Sequence, residues 1–392
     1  MCDSFRPAGA GPAGRERVSK SDAKPVAAIR RGNVPAFWRE IGHGAVFRRQ
    51  GCQMGTRSIQ PVPHAPPSRL TRLVAAAALA LQFASMSVGV AFFAGVLVED
   101  RFVLTQWLSW IPAPAPALLA VVALGLTLGA RVGAWRLQAA AQVLLVAGAV
   151  GVMMRSTCAV PRAMPAPADA QVRLLQWNTN WPAGDDPRSM EALASATADV
   201  VLLSNRGSIT SPDMVARWAG QGARVVGAGP FALVTEWPVT EATMVAAGGS
   251  WPVIWYVARF TVLPPAWQGR PLRIAMVDLP SRPSLSRMAI AQAMLDGIGR
   301  GGLGAVDVVA GDFNAIGGSV ILSRCFPGMR DAAREAGSGW YATWPRRFPL
   351  WQIDHTLLGA GLRCERAWTE DPGISSHRMT MSILTPSAGG GG

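Results

Sequence analysis

The chain has 392 residues, half of them hydrophobic, and a mean hydropathy of +0.23, too apolar for an ordinary soluble domain and pointing to membrane segments. Its net charge of +13 is uneven: up to Arg72 there are 13 Lys+Arg against 4 acids, whereas from Gln171 onward there are 19 against 17. The basic excess therefore belongs to the N-terminal stretch. The C-terminal half lacks the basic face of a dedicated nucleic-acid enzyme, although a local Arg cluster can still bind phosphate. The five cysteines (Cys2, Cys52, Cys158, Cys325, Cys364) are scattered, with no CxxC and no metal-ligand spacing. Cys325 and Cys364 keep two readings, a disulfide if the domain lies outside the cytosol, or buried thiols.

Residues 1–68 are rich in Arg, Gly, Pro, Ala and Ser without periodicity and read as a disordered basic tail, with Met54 an alternative start. The apolar region begins too late for a secretory signal. Leu73 to Val98 is 26 residues without a charge, ample for a bilayer. Two further apolar runs, Ala113 to Ala130 and Leu137 to Met154, are near the minimum length for a span and form a hairpin around Arg131 and Arg136. Three transmembrane helices are thus expected within 69–154. Phe102 to Ile111, between the first two, carries Trp107 and Trp110 as an interfacial anchor does. Gln82, Gln138 and Gln142, uncharged within the spans, read as helix-packing contacts. By the positive-inside rule the Arg-rich tail stays in the cytosol, and three crossings put everything after Met154 on the outer face. Residues 155–171, with Pro161, Pro165 and Pro167, form a linker.

From Val172 the pattern changes to short apolar strands separated by helices and Gly/Pro turns. Strands are expected at Val172–Trp177, Asp199–Leu203, Val225–Gly227, Phe231–Thr235, Val253–Leu263, Leu272–Leu279, from Val306, at Ile353–Leu358 and at Met379–Leu384. Helices are expected at Met190–Ala198 and Met288–Ile298. One domain, 172–385, is long enough for a real core, and 386–392 is a disordered tail. The stretch Val306-Asp307-Val308-Val309-Ala310-Gly311-Asp312-Phe313-Asn314-Ala315 is the most informative. A Val-rich buried strand breaks at Gly311, and an acid and an amide follow two residues apart. On strand spacing Asp312 and Asn314 share a face while Phe313 turns back into the core. The bland alternative is an Asp/Asn turn.

Set in order, the strand ends read Gln176-Trp177-Asn178, Leu202-Leu203-Ser204-Asn205, Gly311-Asp312-Phe313-Asn314-Ala315, Ile353-Asp354-His355 and Ser375-Ser376-His377-Arg378. This resembles the endonuclease/exonuclease/phosphatase superfamily of metal-dependent phosphoesterases, over roughly Val172 to Leu384. Ala232–Val239 and Arg287 also fall where that family has its "LSRxP" strand and the Arg opening a helix. The resemblance implies a four-layer α/β sandwich of the DNase-I-like kind. With three spans before it, the whole is similar to bacterial glycopeptide-resistance membrane proteins thought to act on lipid-linked phosphates. That likeness implies the bacterial inner (cell) membrane, with the lipid bilayer and a phosphate ester as partners, while the near-neutral C-terminal domain disfavours nucleic acid.

The resemblance also assigns roles. Asn178 matches a residue that contacts phosphate or metal, and Asp312 and Asn314 match the pair that positions and deprotonates the attacking water. Asp354 matches the acid that orients the catalytic His, and His377 matches that His. Such chemistry needs a base near the water and fixed donors for the developing charge. The departures fall on the metal side: the family's Glu after the second strand is Ser204-Asn205, the Asp before the final His is Ser376, and Asn180 stands where some members have Asp. With Asn205 as the metal-side residue, Mg²⁺ or Mn²⁺ is expected to bind weakly, because Mg²⁺ usually takes one or two carboxylates. Asp278 either returns a carboxylate to the site or is a strand-end turn residue. His355 reads as a structural neighbour of Asp354 rather than a second base, and Trp177, Trp344 and Trp351 as core or rim packing rather than a substrate stacking platform. Two functions follow: an outward-facing, membrane-anchored phosphoesterase acting on a mono- or diester, lipid-linked esters among them, or a non-catalytic binding or sensing module on the same fold.

Overall fold

A computed structural model describes residues 68–130, 134–159, 170–180, 187–207, 212–250 and 253–387. The basic tail, Arg131, most of the linker and nearly all of the C-terminal tail lie outside those residues. Helices α1 (Arg69–Val98), α2 (Gln106–Ser109), α3 (Pro114–Ala130) and α4 (Trp135–Ser156) come first. Ser68 caps α1, its Oγ accepting from the Thr71 amide at 3.2 Å. Between the helices Ala78, Phe92, Ala120, Ala123, Leu145 and Ala149 are buried together with a few polar groups: Ser85 donates to Gln142 Oε1 at 2.8 Å, and Gln82 donates to Thr127. So Gln82 and Gln142 are interhelical contacts, as the sequence indicates. By length and composition α1 and α4 are long and apolar enough to cross a membrane. The 17-residue α3 is shorter, about 26 Å at 1.5 Å per residue against a hydrocarbon core of about 30 Å.

The rest of the chain alternates strands and helices. In order these are β1 (Cys158–Ala159), β2 (Val172–Asn178), α5 (Pro187–Ser195), β3 (Val200–Ser204), α6 (Pro212–Gly220), β4 (Arg224–Ala228), β5 (Phe231–Thr235), β6 (Val239–Ser250), β7 (Val253–Val262) and β8 (Leu272–Asp278). There follow α7 (Arg287–Gly301), β9 (Val308–Asp312), α8 (Val320–Cys325), β10 (Arg330–Asp331), α9 (Ala332–Ala336), β11 (Gly339–Trp340), β12 (Asp354–Leu358), β13 (Leu362–Glu370) and β14 (Met379–Pro386). One sheet has the order β13-β14-β2-β3-β5-β4 and the other β10-β12-β9-β8-β7-β6.

Leu174, Leu202, Leu233, Phe260, Ile274 and Val308 fill the space between the sheets. On the far side of the first sheet Leu193 and Trp218, from α5 and α6, pack with Trp177 and Leu203. On the far side of the second, Met294 and Ile321, from α7 and α8, pack with Phe313. The result is four layers, as strands buried on both faces require. Each sheet has one parallel pair, β2–β3 and β8–β9, joined through a crossover helix (α5 and α7). The ends of those pairs, Asn178 with Ser204 and Asp278 with Asp312, are register partners. Side chains at the carboxyl ends of parallel strands are where open α/β sheets place their ligands.

Three expectations need correction. Cys325 and Cys364 are buried and free, lying in different parts of the core, so the disulfide reading does not hold. The long strand β6 has no counterpart in the sequence reading. It is a half-exposed edge strand rich in Ala and Gly with irregular register against β7, so it shows neither an apolar run nor clean alternation. The first crossover helix begins earlier than expected, at Pro187, where the fixed φ of proline suits a helix start.

Candidate active site

The GDFNA stretch turns where the strand ends. Gly311 has φ +145°, and a Cβ there would lie 1.9 Å from the Val277 carbonyl oxygen, so only glycine lets β9 pass β8 this closely. Beyond Asp312 the chain makes an Asx-type turn: the Asn314 amide donates to Asp312 Oδ1 at 2.9 Å, with Asn314 at φ +44°. Both sequence readings of this stretch are thus partly right. The two polar side chains do meet one cleft and Phe313 is fully buried, but a left-handed turn brings them together rather than strand alternation. Asn314 Nδ2 donates to the Leu279 carbonyl at 2.7 Å, which leaves its side-chain oxygen to meet a water or an ion.

Four expected residues form one line of hydrogen bonds and an ion pair. Asp354 Oδ2 lies 2.9 Å from His377 Nδ1, and His377 Nε2 faces Asp312 Oδ2 at 3.8 Å. Asp312 Oδ2 accepts from Asn178 Nδ2 at 2.8 Å. Asn178 Oδ1 in turn accepts from Asn205 Nδ2 at 3.2 Å and from the Asn180 amide at 2.9 Å. The line bridges the sheets, because Asn178 ends β2 in one and Asp312 and Asp354 belong to the other. Gln176 was not singled out, yet its Nε2 reaches Asp354 Oδ1 at 3.3 Å while its Oε1 accepts from Thr380 at 3.0 Å. Its position two residues before Asn178, on the same strand face, was the available signal.

Burial and mutual charge set the protonation of this line. Desolvation, then the Asp354 charge, push the Asp312 carboxyl up to about 6 against the pull of His377 and the Asn178 and Asn314 donors. Desolvation alone lowers His377, but Asp354 and Asp312 outweigh it and hold the imidazole at about 9. At neutral pH His377 is a cation and Asp312 is a carboxylate close to its midpoint.

Asp278 belongs to the site. It lines the same cleft, shares a hydrogen bond with Asn205, and is pushed well above the carboxylate range, first by burial and then by Asp312. The turn-residue alternative for it is set aside. Asn180 and Ser376 reach the cleft rim, whereas Ser204 is buried beneath it. His355 turns to the opposite face, bonded to Asp331 at 2.7 Å and to the Ala315 carbonyl at 2.9 Å, where it holds the turn after Asn314. Trp177 is core, as expected. Trp344 and Trp351 line the cleft, and so do Trp107 and Trp110 from the segment between α1 and α3. The cleft measures about 960 Å³.

The donor set suits a hard divalent cation. Asp312, Asp354 and His377 offer ligand atoms within 4.8 Å of one another. Asp354 and His377 are committed to each other, so the oxygens left for an ion are on the Asp278–Asp312 side, with Asn205 beside them. A cation would displace the proton that burial holds on Asp278, and two carboxylates with waters and a phosphate are what Mg²⁺ or Mn²⁺ takes.

The sequence profile of the Endonuclease/Exonuclease/phosphatase family matches residues 175–377, just over half of the chain, and spans every residue of this line. The chain therefore belongs to that family, whose members are metal-dependent phosphoesterases, hydrolases by class. Among solved structures it is similar to an endonuclease/exonuclease/phosphatase family protein from Bacteroides thetaiotaomicron, at 12% identity over 55% of this chain and 94% of that one, with a TM-score of 0.42. It is also similar to the 3'-phosphatase NExo from Neisseria (16% identity, 54% and 98% of the two chains, TM-score 0.37) and to an AP endonuclease from Archaeoglobus fulgidus (15%, 54% and 98%, 0.39). A comparison with curated proteins returned no match.

Proposed function

We propose that the chain is a membrane-anchored phosphoesterase that hydrolyses a phosphate mono- or diester, lipid-linked esters among them, with Mg²⁺ or Mn²⁺ as its ion. The observation that carries this reading is the line Asp354–His377–Asp312–Asn178 at the floor of an open cleft. Asp312, with a proton affinity near 6, accepts a proton from the attacking water, and the Asn314 oxygen orients that water. His377, protonated up to about 9, stabilises negative charge developing on the phosphoryl oxygens. Asp354, itself steadied by Gln176, keeps that imidazole charged and aimed. Asp278 and Asn205 are the groups that would hold the ion beside Asp312, and it would supply Lewis-acid stabilisation when bound.

The anchor reading rests on α1, α3 and α4, whose outward surfaces carry Leu73, Phe83, Val90, Leu118, Leu137 and Leu144 exposed. A helix group apolar on its outside wants lipid around it. On this reading three helices cross the inner membrane with the Arg-rich tail inside and the phosphoesterase domain on the outer face, which the positive-inside rule supports. A binding or sensing module is the second reading, favoured by Asn205 and Ser376 standing where carboxylates are expected. Phosphate release from mono- and diesters by the purified full chain, wild type against Asp312→Asn, separates the two. Hydrolysis lost in the variant supports the enzyme; none in the wild type supports the module.

A further inference from the structure

The catalytic cleft is composite: its aromatic wall comes from the segment between the first two helices. Trp107 and Trp110 line the same cavity as Asp312 and His377, and Trp344 and Trp351 stand on the same wall. Trp351 packs between the other two indoles, with ring centroids 5.9 Å from Trp110 and 5.4 Å from Trp344. The segment is fastened to the domain. Trp351 Nε1 donates to the Trp110 carbonyl at 3.1 Å, and Gln106, buried, donates to the carbonyls of Pro283 and Leu285 on the cleft's rim loop. Asp100 accepts from the Val320 amide at 2.8 Å and from Ser319 at the start of α8. On its other side the segment presses on α1, where a Cβ on Gly95 would lie 2.3 Å from Leu108 backbone atoms. Trp107 keeps 49% of its surface exposed, and its neighbours Phe102 and Leu104 are more exposed still, at 64% and 92%.

We infer that Trp107 and Trp110 are specificity-determining residues, forming a subsite for a hydrocarbon group esterified to the phosphate. The inference rests on the phosphoesterase reading and adds to it the residues that would select an ester with an apolar alcohol. An exposed indole beside a charged catalytic floor does nothing for a compact polar ester, which needs only the donors and the ion. It gains apolar contact only if the substrate carries an apolar group leading away from the phosphorus, and such contact grows with the area removed from water. The wall continues directly from the catalytic groups in one cavity, so a single ester spans both. An interfacial anchor alone would not require the indoles to face the cleft.

The test uses the purified full chain and two p-nitrophenyl phosphodiesters, one with a methyl and one with an octyl group. Wild type is expected to favour the octyl ester at least tenfold in kcat/KM. Trp107→Ala with Trp110→Ala is expected to cut that preference at least fivefold, and the two Trp→Phe changes to restore most of it. Equal loss on both esters, or an unchanged preference, overturns the inference. If the wild type hydrolyses neither ester, the phosphoesterase reading fails and the subsite is read from binding instead. Octylphosphonate should then bind at least tenfold more tightly than methylphosphonate, with the difference lost in the double Ala variant; equal affinities for the two overturn it.

Discussion

Asp278 and Asp312 are register partners across the parallel pair β8–β9, so two carboxylates stand side by side at the floor of the cleft. Like charges on neighbouring buried strand ends repel unless a proton or a cation relieves them. Burial, then Asp312, raises Asp278 well above its ordinary range. If an ion relieves that repulsion, Asp278→Asn should weaken Mn²⁺ binding by about tenfold or more. Asn205→Glu with Ser376→Asp should strengthen it, by adding carboxylates where amide and hydroxyl stand now. Titration of the full chain by manganese electron paramagnetic resonance reads both changes directly. An unaltered affinity in Asp278→Asn removes Asp278 from the ion's ligands.

The 2.9 Å contact between Asp354 and His377 predicts unequal losses along the line. His377→Ala removes the cation and should lower turnover by roughly 10² to 10⁴. Asp354→Asn keeps the shape but not the charge, so the imidazole should lose its raised proton affinity. In that variant the alkaline limb of the rate profile should move toward neutrality. If the limb stays in place, some other group holds His377 charged.

The pH profile has a predictable sense. Asp312 acts as a base only when ionised, so rate rises with pH through a midpoint at about 6, lower once a cation sits beside it. His377 acts only when protonated, so rate falls with pH through about 9. Activity should therefore peak between those limits. A maximum below pH 5 would contradict these roles.

Gly311→Ala tests the backbone approach that sets Asp312. The added methyl meets the Val277 carbonyl oxygen in a conformation at φ +145° that side chains rarely adopt. The change should cost more than about 2 kcal/mol in thermal or denaturant unfolding of the full chain. A loss under about 0.5 kcal/mol would mean the strands separate easily there.

Topology is tested separately. A periplasm-active reporter fused after Thr385 should give signal if three helices cross the membrane with the Arg-rich tail inside. Signal only from a cytosol-active reporter there reverses the orientation.

Much of this site was legible in the sequence because its residues sit at strand ends, where a Val- or Leu-rich run stops at a polar residue. Asn178 and Asp312 close such runs, Asp354 opens β12, His377 stands two residues before β14, and all four meet in space. Asn314 reaches the cleft through a left-handed turn, which strand spacing alone does not foresee. Asp278 stayed ambiguous because a lone acid after an apolar strand looks the same whether it turns the chain or faces a cleft. The aromatic wall was out of reach: Trp110 and Trp351 are 241 residues apart, and no local pattern joins an interhelical segment to a loop before β12. β6 escaped because alanine and glycine carry little periodic signal.

The most direct test of the central claim is hydrolysis of bis(p-nitrophenyl) phosphate by the purified full chain across a Mn²⁺ titration, with His377→Ala alongside. The account predicts turnover that is absent under chelation, rises with Mn²⁺ into a high concentration range and disappears in the variant. Turnover in wild type that ignores Mn²⁺ and survives His377→Ala would contradict it, as would no turnover at any concentration of the ion.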